Sequence, residues 1–227
     1  MIKNIDLNKN KLSYQRIIFS ISIAILFITI TNNSLVLFLI MLFAISAFII
    51  IEFFNLMNKI KIKNKKLLLI SFTSYVLFFF YTIYDISIIQ KEYKPDLILL
   101  LFITIWLNDS GGYLIGKLLG RKKIFNKISP NKTLEGYIGS LILMIIGLEV
   151  ISHDQKNFIS NFNIVVISII WMFGNAGDLL FSYIKRLANV KDSGKVMWLH
   201  GGMIDRFDSS LLSIPVIFLY LFFNKLL

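Results

Sequence analysis

The sequence predicts an all-α, polytopic membrane bundle of about seven spanning helices with a cytoplasmic N-terminus, and three observations predict it. The chain is 56% hydrophobic and 16% charged over 227 residues, with a mean hydropathy of +0.74, too apolar for a soluble domain of that length. Apolar runs recur at the length a spanning helix needs, ~20 residues. Basic residues collect in alternate loops between those runs. A bilayer accepts only backbones that satisfy their own hydrogen bonds, so runs of this length read as helices.

The first span is expected at 16–31. "MIKNIDLNKNKLSYQR" precedes it like a secretory leader, but "TNNS" follows the apolar part where a small-x-small cleavage site belongs, so an uncleaved helix is expected. The second span, 34–54, leads into "NKIKIKNKK", which carries lysines from Lys59 to Lys66. The third is 67–89 and the fourth 96–118, with Lys91 and Lys94 between them. Arg121, Lys122, Lys123, Lys127 and Lys132 fill the loop before the short fifth span, 136–152. Lys156 alone precedes the sixth, 163–185, and Lys185, Arg186, Lys191 and Lys195 precede the seventh, 204–224. With Lys3, Lys9, Lys11 and Arg16 at the start, the basic loops fall on one side throughout, the cytoplasmic one. No repeat or linker divides the chain. One integrated domain is expected, with 1–95 supplying three helices and 96–227 the region that carries the chemistry.

With no cysteine, a disulfide framework and thiolate chemistry are excluded. The net charge of +11 would point to nucleic acid in a soluble protein. Here it lies in short loops, so it reads as topology and as attraction to anionic lipid or phosphate, with no nucleic-acid partner.

The acids are the informative residues. Asp109 and Asp178 interrupt apolar runs, and Asp205 and Asp208 open the last one. A charge at the centre of a span costs ~2.5–3.5 kcal/mol, so such residues face the bundle interior, as a site or as ion-paired glue. Asp178, Ser182 and Lys185 fall at i, i+4 and i+7, one helical stripe ending in a basic pair with Arg186. Asp205 and Asp208, at i and i+3, share a face. Two carboxylates one turn apart call for a positive group between them: a hard divalent cation such as Mg²⁺, or Lys185, Arg186 or Arg206 in salt bridges.

Gly201 and Gly202 precede the last helix, where free N–H groups and the helix dipole suit an anion. Gly174 and Gly177 in "GNAGD" fit a phosphate turn or tight helix packing equally. His200 is open between phosphate ligand, proton carrier and polar cap. "GGYLIGKL" has most of a P-loop, but Leu118 stands where Ser or Thr is needed and no strand precedes it. His153 reads as a solvated loop residue, and Trp106, Trp171 and Trp198 as belt or packing residues. A transporter with intramembrane acids is the competing class. It would repeat its charges in both halves of the chain, whereas these crowd toward the C-terminal part.

The segment "SYIKRLANVKDSGKVMWLHGGMIDRFDS" (182–209) resembles the signature of the CDP-diglyceride synthetases, the phosphatidate cytidylyltransferases. Its fixed positions are filled by Ser182, Lys185, Arg186, Lys191, Asp192, His200, Gly201, Gly202, Asp205, Arg206 and Asp208. The stretch "NDSGGYLIGKLLGRKK…ISPNKTLEGYIGS" (108–140) is similar to a second block of that family. The resemblance spans about 96–224. It departs at Met197, Trp198 and Leu199, where an aliphatic residue and Pro-Gly are usual before the His-Gly-Gly, and at Leu134, Asn131 and Gly112, where Trp, Lys and Ala are usual.

The resemblance implies the reaction of CTP with phosphatidate to give CDP-diacylglycerol and pyrophosphate, with Mg²⁺, as one cation or two. It implies a bacterial-type inner membrane, an active site facing the cytoplasm, and a homodimer. Asp178, Asp205, Asp208 and Asp109 are expected to hold the metal. Ser182, Lys185, Arg186, Lys191, Asp192, Asp205 and Asp208 are expected to serve catalysis. Lys132, Arg206, His200, Gly201, Gly202 and Asn108 are expected to bind substrate. A CDP-archaeol synthase or polyprenol kinase would keep the class and change the acceptor.

Overall fold

The computed structural model describes residues 2–89, 91–152, 164–196 and 201–225, with the backbone course alone for 2–17, 89 and 152. The described helices are α1 (Ile2–Asn33), α2 (Leu35–Lys59), α3 (Lys65–Ser87), α4 (Pro95–Leu119), α5 (Leu134–Ser152), α6 (Ile164–Leu187) and α7 (Ile204–Phe223). Among the described residues, α2 to α7 are long and apolar enough to cross a membrane, and the apolar part of α1, Ile18–Asn33, is shorter. The all-helical bundle expected from the hydropathy pattern is what forms.

The helix ends follow from local chemistry. Ser34 interrupts the α1–α2 run and caps α2, its Oγ accepting the Leu37 N–H at 3.4 Å. Pro95 starts α4 in the first-turn position where its missing N–H costs nothing, and Asp96 favours the same end through the helix dipole. The third span is shorter at its C-terminus than the hydropathy pattern suggests. Ile88–Ile89 leave the helix and pair antiparallel with Glu92–Tyr93 (β1 and β2), and Lys91 takes a left-handed turn at φ 67°. The Tyr93 hydroxyl then donates to the Thr31 carbonyl, tying this hairpin to α1. Burial pushes that phenol up to about 12.

The basic loop between α4 and α5 is folded back on α5. Lys123 bridges to Thr133, and Glu135 accepts the backbone N–H groups of Arg121 (2.9 Å) and Lys122 (3.2 Å). Above it α4 and α5 pack closely because small residues face each other. A Cβ on Gly111 would lie 2.9 Å from the Ser140 Cα.

The most buried helix is α7, packed against α2, α3, α4 and α6. Its Leu211, Ile214 and Ile217 belong to the same buried core as Phe38, Ile49, Phe79, Ile83 and Phe102. Pro215 lies inside this helix and has no N–H for the Leu211 carbonyl one turn back. The Tyr75 hydroxyl of α3 donates to that carbonyl instead, at 2.5 Å. Outward-facing side chains such as Phe43, Leu77, Leu118 and Val150 are exposed and apolar, as lipid-facing residues are.

In α6 the helix widens to a π turn over Ile170–Gly174. The Asn175 amide donates to the loosened Trp171 carbonyl at 2.7 Å, and the Trp171 indole N–H donates to the Tyr137 carbonyl of α5 at 2.8 Å. Such a turn inserts one residue and re-aims the side chains beyond it. In α6 those side chains include Asn175 and Asp178.

The C-terminal ends of α2, α4 and α6 and the N-terminal ends of α3, α5 and α7 share one face of the bundle. Contacts between them are direct: Lys132 of the α4–α5 loop reaches Asp178 of α6, and the Arg186 Nε donates to the Ile128 carbonyl at 3.2 Å. The three described basic loops lie together on that face.

Candidate active site

Two carboxylate clusters form where α4, α6 and α7 meet below the basic face. In the first, Asp109, Asp178 and Asp208 lie within electrostatic reach of one another. Asp109 accepts the Ser209 hydroxyl at 3.0 Å and the Asn108 amide at 3.4 Å, and the Asn175 amide donates to the Asn108 carbonyl oxygen at 3.3 Å. Asp178 accepts the Ser182 hydroxyl at 3.2 Å, as one helical turn allows. The buried Asp208 accepts the N–H of Ser209 at 2.8 Å. Gly177 lets α6 and α7 approach here, since a Cβ on it would overlap the Asp208 carbonyl.

A cavity of about 200 Å³ opens beside this cluster, lined by Asn108, Asp109, Lys132, Tyr137, Asn175 and Asp178 among others. Lys132 is its cation, 2.5 Å from Asp178 and 5.5 Å above the Tyr137 ring. Burial by itself lowers the Lys132 pKa, but the charge and hydrogen bond of Asp178 outweigh that and hold it above the ordinary lysine value. The Tyr137 hydroxyl is buried with no hydrogen-bond partner among the described residues. Such an atom in a polar cavity is available to a ligand.

The second cluster centres on Asp205. Its Oδ1 is 2.5 Å from the Lys185 ammonium, and its Oδ2 accepts the N–H groups of Ser193 (2.8 Å) and Gly202 (2.9 Å). Gly201 is left-handed at φ 86°, which favours glycine, and a Cβ there would also lie 2.8 Å from the Asp205 Oδ2. The last helix therefore begins on carboxylates of the protein itself. Gly202 donates to Asp205, and Met203 and Ile204 donate to Glu52 at 2.9 and 3.0 Å. These N–H groups were expected to face phosphate, but each already has an acceptor.

The expected metal set is thus divided. Asp109, Asp178 and Asp208 lie near one another, whereas Asp205 is engaged with Lys185 and the N–H groups of Ser193 and Gly202. Ser182 and Lys185 lie on the inner face of α6 and are buried. Arg186 is exposed and donates to the carbonyls of Ile128 and Val190 (3.0 Å), bracing the loops. Lys191, Asp192 and Arg206 are exposed. His200, with Met197, Trp198 and Leu199, lies outside the described residues, as do His153 and Lys156. No three acidic or histidine groups among the described residues converge into a ready-made metal centre. Mg²⁺ takes hard oxygens and commonly binds through one or two carboxylates plus substrate phosphates, so the Asp109, Asp178 and Asp208 oxygens fit it.

Several residues of this region escaped the sequence reading. Tyr137, Asn175 and Ser209 are ordinary in composition, and nothing local marks them. Glu52 had a signal: it is an isolated acid in "IIIEFF", within an apolar run, and the cost of a charge at membrane depth applies as it does to Asp109.

A model of the Cytidylyltransferase family matches residues 63–224, from before α3 to the last helix. The phosphatidate cytidylyltransferase of Staphylococcus saprophyticus is 41% identical over 121 residues, 53% of this chain and 46% of that protein. The phosphatidate cytidylyltransferase of Staphylococcus aureus is 42% identical with the same coverage, and that of Staphylococcus haemolyticus 41%. The chain spans about half the length of the curated relatives it matches. The match covers most of the chain and takes in Asp109, Lys132, Asp178, Asp205 and Asp208, and the chain belongs to the cytidylyltransferase family.

Proposed function

We propose that the protein is a phosphatidate cytidylyltransferase, converting CTP and phosphatidate to CDP-diacylglycerol and pyrophosphate. The observation that carries this reading is the grouping of Asp109, Asp178 and Asp208, within electrostatic reach of one another, with the half-buried Lys132 and the buried Lys185 under one basic face of a membrane bundle. Its support from likeness is the name of the Staphylococcus relatives.

In this reaction two polyanions meet, so catalysis is mostly charge neutralisation and in-line positioning. A lipid phosphate oxygen bonds to the α-phosphorus of CTP while the bond from that phosphorus to the β-phosphate oxygen breaks, and pyrophosphate leaves. The lipid phosphate is ionised at neutral pH, so no general base is needed. Asp109, Asp178 and Asp208 would hold Mg²⁺, which when bound supplies positive charge between the phosphates. Lys132 and the Tyr137 hydroxyl offer a charge-assisted donor and a neutral donor to phosphate oxygens in the cavity. Lys185 is oriented by Asp205, and the exposed Lys191 and Arg206 add positive charge that would attract the incoming nucleotide. CTP is cytosolic and the acyl chains stay in the bilayer, which places the basic face at the cytoplasmic surface of a bacterial inner membrane.

The test is the purified protein in lipid nanodiscs with phosphatidate, CTP and Mg²⁺. CDP-diacylglycerol formation, lost on Asp178→Asn, supports the reading; a well-folded preparation that makes none refutes it.

A further inference from the structure

We propose that Glu52 is a positioning residue for the active site, holding the start of α7 and the 191–196 segment in register from outside the region the family model matches. The proposal rests on the phosphatidate cytidylyltransferase reading for what the site does, but the geometry behind it is independent of that reading.

Glu52 lies on α2, ahead of residue 63 where the family match begins, and is 2% exposed. Its Oε1 accepts the N–H of Met203 at 2.9 Å, and its Oε2 accepts the N–H of Ile204 at 3.0 Å and the hydroxyl of Ser193 at 2.8 Å. The residue before α7 is Met203, whose side chain cannot cap a helix. Glu52 supplies that cap from another helix, with its charge at the positive end of the α7 dipole.

The connection continues to the chemistry. Ser193 also donates its N–H to Asp205, and Asp205 orients Lys185. A chain of contacts therefore runs from Glu52 through Ser193 and Asp205 to a cation of the site, while Asp208 sits one turn into the helix that Glu52 caps. The two glycines beside the carboxylate leave it room. A Cβ on Gly202 would overlap Glu52 Oε2 and Ser193 Oγ, and a Cβ on Gly194 would overlap Glu52 Oε1. Gly202 of the "HGG" stretch thus leaves room for Glu52 and Ser193. Two buried N–H groups held by a full carboxylate make a stiff joint, whereas a carboxamide can accept with only one of its two terminal atoms.

The test compares wild type, Glu52→Gln and Glu52→Asp in nanodiscs by two readouts. Amide hydrogen exchange at Met203 and Ile204 reads the cap directly and needs no substrate. Steady-state kinetics with CTP and phosphatidate read the positioning. The expected result for Glu52→Gln is faster exchange at those two amides, unchanged exchange at Ile214 and Ile217, and a kcat lower on the order of 100-fold with KM for CTP within about threefold. Glu52→Asp, which keeps both acceptors on a shorter stem, recovers part of kcat. Unchanged exchange at Met203 and Ile204 overturns the proposal. So does a kcat loss that merely tracks the fraction of protein unfolded. If the exchange changes as expected while wild type itself makes no CDP-diacylglycerol, the assigned reaction fails and the cap stands.

Discussion

Tyr75→Phe is a one-atom perturbation whose effect follows from Pro215. The Leu211 carbonyl is fully buried and has lost its helical donor to proline, and the Tyr75 hydroxyl at 2.5 Å takes that donor's place. Removing the hydroxyl leaves a buried acceptor unpaired, which costs about 1–3 kcal/mol. At full burial under a neighbouring helix we place the loss near ~2 kcal/mol, or about 4–8 °C in Tm for a chain of this size. Pro215→Ala restores an N–H aimed at the same carbonyl. In that background Tyr75→Phe therefore costs under about 1 kcal/mol, a coupling of at least ~1 kcal/mol. Thermal unfolding of the four detergent-solubilised proteins measures this cycle. Equal Tm losses from Tyr75→Phe in both backgrounds would show that the hydroxyl does not serve the proline gap.

Other perturbations reach the site. Gly177→Ala drives a Cβ into the Asp208 carbonyl, so α6 and α7 must separate; a loss of about 1–3 kcal/mol is expected by thermal unfolding, with activity falling further than stability. Lys132→Met removes the cavity's cation and leaves Asp178 uncompensated; kcat/KM for CTP should drop roughly 10²–10³-fold. Because Asp178 holds the Lys132 pKa above its ordinary value, the pair's contribution to stability is complete below about 10.5. It is lost only as pH rises through the raised value, so a wild-type unfolding series from pH 6 to 9 should show no titration from this pair. Arg186→Ala removes an exposed brace to two loop carbonyls; under about 1 kcal/mol of stability should be lost.

Much of the fold was legible because hydropathy and helix length are linked by bilayer thickness. The spans at 34–54, 96–118 and 204–224 correspond to α2, α4 and α7. The ends were less legible. Ile88–Ile89 are as apolar as the helix before them, and only the hairpin partner Glu92–Tyr93 draws them out of it. At the site, the cost of a charge at membrane depth pointed to Asp109, Asp178 and Asp208, and i, i+4 spacing put Ser182 on Asp178. Which cation each acid chooses was not legible. Asp205 and Asp208 are one turn apart and look equivalent, but it is Asp205 that pairs with Lys185 and accepts the N–H groups of Ser193 and Gly202. Glu52 meets Met203 and Ile204 across about 150 residues of chain, a separation no local pattern encodes. The π turn before Asn175 has no compositional mark either.

The central claim is that this face transfers a cytidylyl group to a lipid phosphate, breaking CTP between its α- and β-phosphates. CTP labelled separately on the α- and γ-phosphorus, incubated with the protein in phosphatidate nanodiscs and Mg²⁺, tests that bond directly. The account predicts the α label in the lipid product and the γ label in pyrophosphate. Recovery of the γ label in lipid, as a kinase would produce, would contradict it.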